Sequence, residues 1–108
     1  MGFKYVVAII RGSVLEALEA RLASLGVRGL TVSKVRGQGE YMDVLAKDRL
    51  VGHMKIEIFV GESNAEAVID AIVEVAHSDV PGAGVVAVMP VEKFLHIRTR
   101  SETLSDEP

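Results

Sequence analysis

Two glycine-rich segments and one cationic segment contain the residue types in this chain that could bind an anion. Gly37-Gln38-Gly39 follows a strand-like run, and Gly82-Ala83-Gly84 separates a helical run from another strand. Glycines let a ligand approach backbone amides, so either segment could hold a phosphate, although each could equally be only a turn. Residues 96–100 read His-Ile-Arg-Thr-Arg. In an extended chain the histidine and both arginines would share one face, which could bind a phosphate or simply be solvated.

Other chemistries find less support in the sequence. Gly37-Gln38-Gly39 lacks the third glycine of a dinucleotide fingerprint and is followed by a loop pattern instead of a helix. The chain has no Cys, and His53, His77 and His96 are scattered, so the sequence does not favour a zinc site. No Ser/His/Asp grouping or paired carboxylate is recognisable by spacing. We therefore expect a protein that is not an enzyme.

Length and composition predict a single globular domain. The chain has 108 residues, of which 49% are hydrophobic and 25% charged. Its formal net charge of −3 argues against a nucleic-acid partner, which would favour a basic surface. No apolar run approaches the roughly 20 residues that span a bilayer, and the N-terminus shows no signal-peptide pattern. We expect a cytoplasmic protein that is not embedded in a membrane.

Alternating strand and helix patterns must position the candidate segments. Two stripes of aliphatic residues at helical spacing lie between the strand-like runs. A capping box is expected to begin each helix, Ser13 with Glu16 and Ser63 with Glu66, and Pro90 is expected to end the fourth strand. The strands are predicted at residues 3–10, 29–37, 54–60 and 85–88, with a short strand or turn at 92–99.

The order β-α-β-β-α-β predicts an α+β, ferredoxin-like sandwich in which two helices cover one face of an antiparallel sheet. The other face would carry Phe3, Tyr5 and Phe59, which another subunit could cover, so we expect an oligomer. Residues 1–100 are predicted to form the domain. The acidic residues 101–108 are predicted to form a mobile tail.

The order and spacing of several segments resemble the PII signalling proteins over roughly residues 3–102. The matching segments are VVAIIR, LASLGVRGLTVSKVRGQG, MKIEIFV, EAVIDAIVEVAHS, PGAG and IRTRSE. The resemblance implies a ferredoxin-like subunit in a homotrimer with adenine nucleotides in the clefts between subunits. It also implies that residues 38–53, which have no clear period, form the flexible signalling loop (T-loop) that contacts a partner.

The resemblance also assigns candidate ligand contacts. It implies that residues 29–31 hold the adenine, that residues 37–39 contact the ribose and phosphate, and that residues 82–84 form a phosphate clamp with Arg98 and Arg100. The full candidate set is Gly29, Leu30, Thr31, Gly37, Gln38, Gly39, Glu40, Tyr41, Phe59, Gly82, Ala83, Gly84, Val85, Arg98 and Arg100.

The sequence departs from the family pattern at the phosphate clamp. Val85 stands where the family has a lysine, His96 replaces an arginine, and Arg100 replaces a glycine. A hydrogen bond to a charged group contributes about 1.5–3 kcal/mol, so the loss of two fixed cations should weaken ATP most. We therefore expect AMP or ADP to be the favoured ligand.

The loop also departs from the family pattern, because Tyr41 stands in place of a glutamine and His53 in place of a lysine. We therefore do not expect 2-oxoglutarate to bind. The short loop resembles a divergent subgroup linked to carboxysomes, inorganic-carbon uptake or heavy-metal efflux pumps, some members of which bind AMP or ADP with bicarbonate. This resemblance makes residues 39–41, His53 and Arg98 candidate bicarbonate contacts, and a membrane transporter the expected partner of the loop.

An alternative is a trimeric interaction module without a nucleotide, resembling the metal-tolerance relatives of the same architecture. Such a module could bind copper or zinc through His53, His77 or His96.

Overall fold

The structure, a computed structural model, describes residues 2–36 and 53–102. Met1, Gly37, residues 38–52 of the predicted loop and residues 103–108 of the predicted tail lie outside the described residues. The predicted loop bound at His53 is wrong, because His53 begins β3. The elements are β1 (Phe3–Arg11), a 3-10 turn (Gly12–Val14), α1 (Leu15–Ser24), β2 (Thr31–Lys34), β3 (His53–Gly61), α2 (Glu62–Ala76), β4 (Gly84–Val91), β5 (Leu95–His96) and β6 (Ser101–Glu102).

The sheet has four strands in the order β2-β3-β1-β4, and neighbouring strands are antiparallel. Alternate residues of the central strands point toward the two helices, because successive strand residues face opposite sides. The core is formed by Val6, Ala8, Ile10, Leu18, Leu22, Ile56, Ile58, Val60, Ala65, Val68, Ala71 and Ile72. Burying each of the larger side chains contributes about 1.5–3 kcal/mol. The predicted α+β ferredoxin-like fold is confirmed.

The opposite face of the sheet, which we call the open face, carries apolar side chains, and no helix of the described residues packs against them. Tyr5, Val7 and Ile9 of β1 are only partly buried there. Ala87 and Met89 of β4 pair with Val7 and Tyr5 and are exposed. Within residues 2–36 and 53–102, Phe94 packs on Phe3 and Phe59 at one end of this face, and the apolar side chains of β1 and β4 named above stay partly or fully exposed.

The predicted end of the fourth strand at Pro90 is wrong. β4 continues to Val91, and Pro90 stands opposite Lys4 of β1. β4 is the outer strand of the described sheet, where a residue without an amide hydrogen is tolerated because one side of the strand has no neighbour.

The two predicted capping boxes are also wrong. Val14 caps α1 and Gly61 caps α2, and neither makes a side-chain capping bond. Ser13 lies in the 3-10 turn, and Ser63 lies inside the first turn of α2. The amide of Glu62 donates instead to the carbonyl of Gly2 at 2.8 Å, so the start of β1 satisfies the start of α2.

The cationic segment is a hairpin and not an extended strand. β5 and β6 pair, with His96 opposite Ser101, and residues 97–100 form the turn between them. Arg100 has a positive φ of 58° and donates its amide to the His96 carbonyl at 2.9 Å. The predicted shared face of His96, Arg98 and Arg100 is therefore wrong. The first two residues of the predicted tail, Ser101–Glu102, belong to this hairpin.

Candidate functional site

A groove of about 430 Å³ lies at the β2 edge of the sheet. This size falls in the range of small-molecule sites. Thr31 at the start of β2 stands opposite Glu57 of β3, and Phe59 follows on the same face of β3. Phe94 covers the far end, with its ring centroid 5.3 Å from that of Phe59. The groove is lined by Arg28, Gly29, Leu30, Thr31, Glu57, Phe59 and Phe94.

The groove therefore brings together four of the predicted ligand residues: Gly29, Leu30, Thr31 and Phe59. It has aromatic and aliphatic walls, a backbone segment opened by a glycine, and one carboxylate. Such a mixture suits a flat, polar-edged ring, because the walls can stack on the ring faces while backbone and carboxylate oxygens accept from its edge.

Three lining residues, Arg28, Glu57 and Phe94, were not predicted. Glu57 could have been found, because strand alternation puts it on the same face as Phe59. Phe94 arrives through the turn after β4 and packs on Phe3 with ring centroids 4.7 Å apart, a contact that no sequence pattern indicates.

The groove carboxylate is held by a neighbouring tyrosine. The Tyr5 hydroxyl donates a hydrogen bond to Oε2 of Glu57, and the Tyr5 ring packs against Phe59 at 5.2 Å. This hydrogen bond is the largest cause of a raised pKa of Tyr5, followed by burial and by the negative charge of Glu57. Oε2 of Glu57 thus accepts a hydrogen bond from the same chain, and this bond fixes the orientation of the carboxylate at the groove wall.

Tyr5→Phe is expected to lower the free energy of unfolding by about 1 kcal/mol at pH 8, because one hydrogen bond to Glu57 is lost. The folded state raises the pKa of Tyr5 above its ordinary value of 10.0, so this stabilisation is complete below that value and falls as the pH rises through the folded pKa. Urea unfolding of both proteins from pH 8 to 11 measures the difference. A difference that stays constant over this range would contradict the assignment.

The second glycine segment forms a turn at the opposite edge of the sheet. Gly82 is buried with a φ of 100°, and Gly84 begins β4 with a φ of 124°. Nε of Arg11 donates to the Gly82 carbonyl at 3.2 Å, and its Nη2 donates to the Pro81 carbonyl at 3.1 Å. Nε2 of His53 lies 3.0 Å from the same Gly82 oxygen. The turn therefore has a defined conformation that two side chains hold from β1 and β3.

A smaller, mostly apolar cavity of about 160 Å³ adjoins this turn, between the end of α2 and the start of β4. Ala83, Gly84 and Val85 line it together with Ile72 and Val73 of α2. Val85, the residue that replaces a family lysine, is exposed here. The turn can thus offer backbone amides to an anion, while position 85 offers it no charge.

One chain does not bring all the predicted residues together. β2 and β4 lie three strand spacings apart, about 14 Å, so the groove and the Gly82–Gly84 turn occupy opposite edges. Arg98 and Arg100 lie on the hairpin that follows Phe94, beyond the far end of β4. The remaining predicted residues lie outside the described residues: Gly37, Gln38, Gly39, Glu40 and Tyr41.

The three histidines have separate surroundings. His53 contacts the Gly82 carbonyl, His77 lies 3.4 Å from Asp79, and the ring of His96 stands edge-on to Phe94 at 5.4 Å. Within residues 2–36 and 53–102, no three His, Cys, Asp or Glu side chains form a group that could hold a metal ion. In the same part of the chain, no helix has the length and apolar character to cross a membrane.

The topology places the chain in the ferredoxin-like class of α+β domains. Within that class, the chain belongs to the nitrogen regulatory protein P-II family, whose model matches residues 3–101. P-II proteins are regulatory proteins, and this chain is a member of that signalling class.

Individual relatives support the assignment over most of the chain. The nitrogen regulatory protein GlnK2 of Haloferax mediterranei is 35% identical over 91% of this chain and 85% of its own length. The P-II protein of Nostoc punctiforme is 33% identical over 89% of this chain and 92% of its own. The P-II homologue of Arabidopsis thaliana is 33% identical over 90% of this chain, which spans only 54% of that longer relative.

Proposed function

We propose that this chain is a sensor of adenine nucleotides that binds AMP or ADP in preference to ATP, at sites completed between the subunits of a homotrimer. The ligand-sized groove and the glycine turn each carry part of the predicted contact set, yet they lie on opposite edges of one sheet. Copies that pack through their open faces can bring the groove of one chain to the turn of the next. This separation of the two half-sites is the observation that carries the proposal.

The base and the phosphates of the nucleotide would bind at different half-sites, according to the chemistry of each. The groove offers Phe59 and Leu30 to the faces of a base. The turn offers main-chain amides to phosphate oxygens. Arg98 lies on the exposed hairpin, from which its guanidinium could reach a phosphate of a ligand shared between copies. Val85 adds no cation where a third phosphate would lie, which is why ATP should bind more weakly than ADP.

Bicarbonate and a membrane transporter are proposed as the second ligand and the partner on the resemblance of the short loop alone. Binding of the nucleotide, with or without bicarbonate, would favour one arrangement of residues 38–52, and the partner would recognise that arrangement. The ligand can shift this equilibrium only by the difference between its affinities for the two arrangements. The activity proposed is regulatory and involves no catalytic step.

Thermal unfolding in the presence of nucleotides tests the proposal. A ligand at 100 times its dissociation constant stabilises the folded state by about 2.7 kcal/mol, so AMP and ADP at 1 mM should raise the midpoint by several degrees. ATP should raise it less, and GDP, with a different base edge, should raise it least. Equal midpoints with all four nucleotides and without any would refute nucleotide binding.

A trimeric module without a nucleotide is the second candidate, and the exposed Val85 at the turn favours it. Such a protein would ignore AMP and ADP and could respond to copper or zinc. Titration of either metal, followed by the NMR shifts of His53, His77 and His96, separates the two candidates. Histidine NMR shifts at micromolar metal, together with a thermal midpoint that nucleotides do not change, would favour the module without a nucleotide.

A further inference from the structure

Two residues on neighbouring strands, at one end of the sheet, hold the Gly82–Gly84 turn through hydrogen bonds. Arg11 ends β1, His53 begins β3, and the two are direct partners across these strands. His53 is 4% exposed and is a buried polar residue, whereas histidines are on average only intermediate in burial. A carbonyl oxygen only accepts hydrogen bonds, so Nε2 of His53 carries the proton that it shares with Gly82.

These bonds fix the direction of two successive peptide units. The peptide group is planar and trans, so its carbonyl and its amide hydrogen point in opposite directions. Arg11 holds the carbonyl of Pro81, and Arg11 and His53 together hold that of Gly82. The amides on the other side of these two planes belong to Gly82 and Ala83, and both are therefore directed away from Arg11 and His53.

Gly84, the last residue of the turn, is fixed by its contact with β1. A Cβ atom added to Gly84 would lie 2.0 Å from the Ile9 carbonyl oxygen, so the backbone of β1 leaves no room for a side chain at this position. Gly82 has a φ of 100°, and glycine has several other backbone conformations open to it, so the hydrogen bonds to its carbonyl select one of them. Its orientation depends on the side-chain donors.

We infer that Arg11 and His53 are positioning residues for the phosphate half-site: they hold the Pro81 and Gly82 carbonyls so that the amides of Gly82 and Ala83 can donate together to one phosphate group. Two neighbouring amides that point the same way form an anion-binding concavity. In this arrangement Arg11 and His53 do not touch the ligand, since their described donors are directed to the turn. The inference rests on the proposed nucleotide binding.

The test compares ADP with adenosine, which has the same base and sugar but no phosphate. His53→Leu removes the ring donor and should weaken ADP binding about tenfold, the equivalent of one hydrogen bond of about 1.4 kcal/mol, with adenosine affinity unchanged. His53→Gln, whose side-chain amide can donate to the same carbonyl, should return ADP affinity to within about threefold of the parent. Arg11→Lys keeps the positive charge but loses the planar guanidinium that donates to two carbonyls at once. It should weaken ADP binding about tenfold, as His53→Leu should.

Arg21→Leu is the matched control, because Arg21 pairs with Glu74 on the helical side and lies away from the turn. It should leave ADP affinity unchanged. Amide ¹H–¹⁵N spectra of each variant report the turn directly: the Gly82 and Ala83 signals should shift in His53→Leu and Arg11→Lys and stay in place in Arg21→Leu.

Two results would overturn the inference. One is folded His53→Leu and Arg11→Lys proteins that bind ADP as the parent does. The other is an equal loss of ADP and adenosine affinity, which would indicate a general structural role. Failure of the proposed function is distinguishable, because the parent protein itself would then bind no ADP, and the positioning role would fall with it.

Discussion

Met89→Lys is expected to dissociate the proposed homotrimer, so that the mass in solution falls from about three times 11.6 kDa toward that of the single chain. Met89 lies on the open face opposite Tyr5 and is 42% exposed in one chain, so a lysine there costs the isolated fold little. In a trimer that covers the open face, the same lysine would place an ammonium group in an apolar contact, at a cost of several kcal/mol per chain.

Val88→Lys is the control for this substitution. Val88 is the adjacent residue of β4 and is 44% exposed, but it stands opposite Val6 on the helical side of the sheet. Light scattering at micromolar protein should give a trimer for the parent and for Val88→Lys, and mainly monomer for Met89→Lys. A trimeric Met89→Lys protein, or a monomeric parent, would contradict the proposed use of the open face.

Gly84→Ala is expected to lower the free energy of unfolding by about 3 kcal/mol, among the largest effects of a single substitution in the described chain. The added methyl group would meet the Ile9 carbonyl oxygen at 2.0 Å, and the φ of 124° is one that alanine rarely adopts. Neither the steric clash nor the unfavourable φ can be relieved unless β4 moves away from β1. Urea unfolding at a fixed protein concentration measures the loss, because the stability of an oligomer depends on concentration.

Two other glycines separate the contributions of backbone conformation and of space. Gly26 has a φ of 86° and open space around it, so Gly26→Ala should cost about 1 kcal/mol. Gly29 also has open space and carries no positive φ, so Gly29→Ala should change stability little. Equal losses at Gly26, Gly29 and Gly84 would show that the close approach of the two backbones is not what stabilises the start of β4.

The sheet and the core could be predicted because their signals are local and repeat along the chain. Val6, Ile56 and Ile58 face the helices because strand residues alternate, and this alternation is visible in the sequence. The ends of elements were less predictable. Pro90 stays in β4 because that strand is at the edge, and position in the sheet is not a property of the local sequence.

The site was predictable in part. The resemblance alone assigned residues 29–31 as ligand contacts, and the pairing of β2 with β3 brings Thr31 close to Phe59 in the groove. The bonds from Arg11 to the turn join residues about 70 positions apart, and no spacing rule indicates them. The shared cationic face was predicted from an extended conformation of residues 96–100, and it is absent because these described residues turn, with a positive φ at Arg100.

A crystal structure of the protein with bound ADP tests the central claim most directly. We expect the adenine to lie in the groove beside Leu30 and Thr31 of one chain, and the phosphates to lie against the Gly82–Gly84 turn of a neighbouring chain. An ADP molecule that contacts both half-sites within one chain, or one that avoids both, would contradict the account.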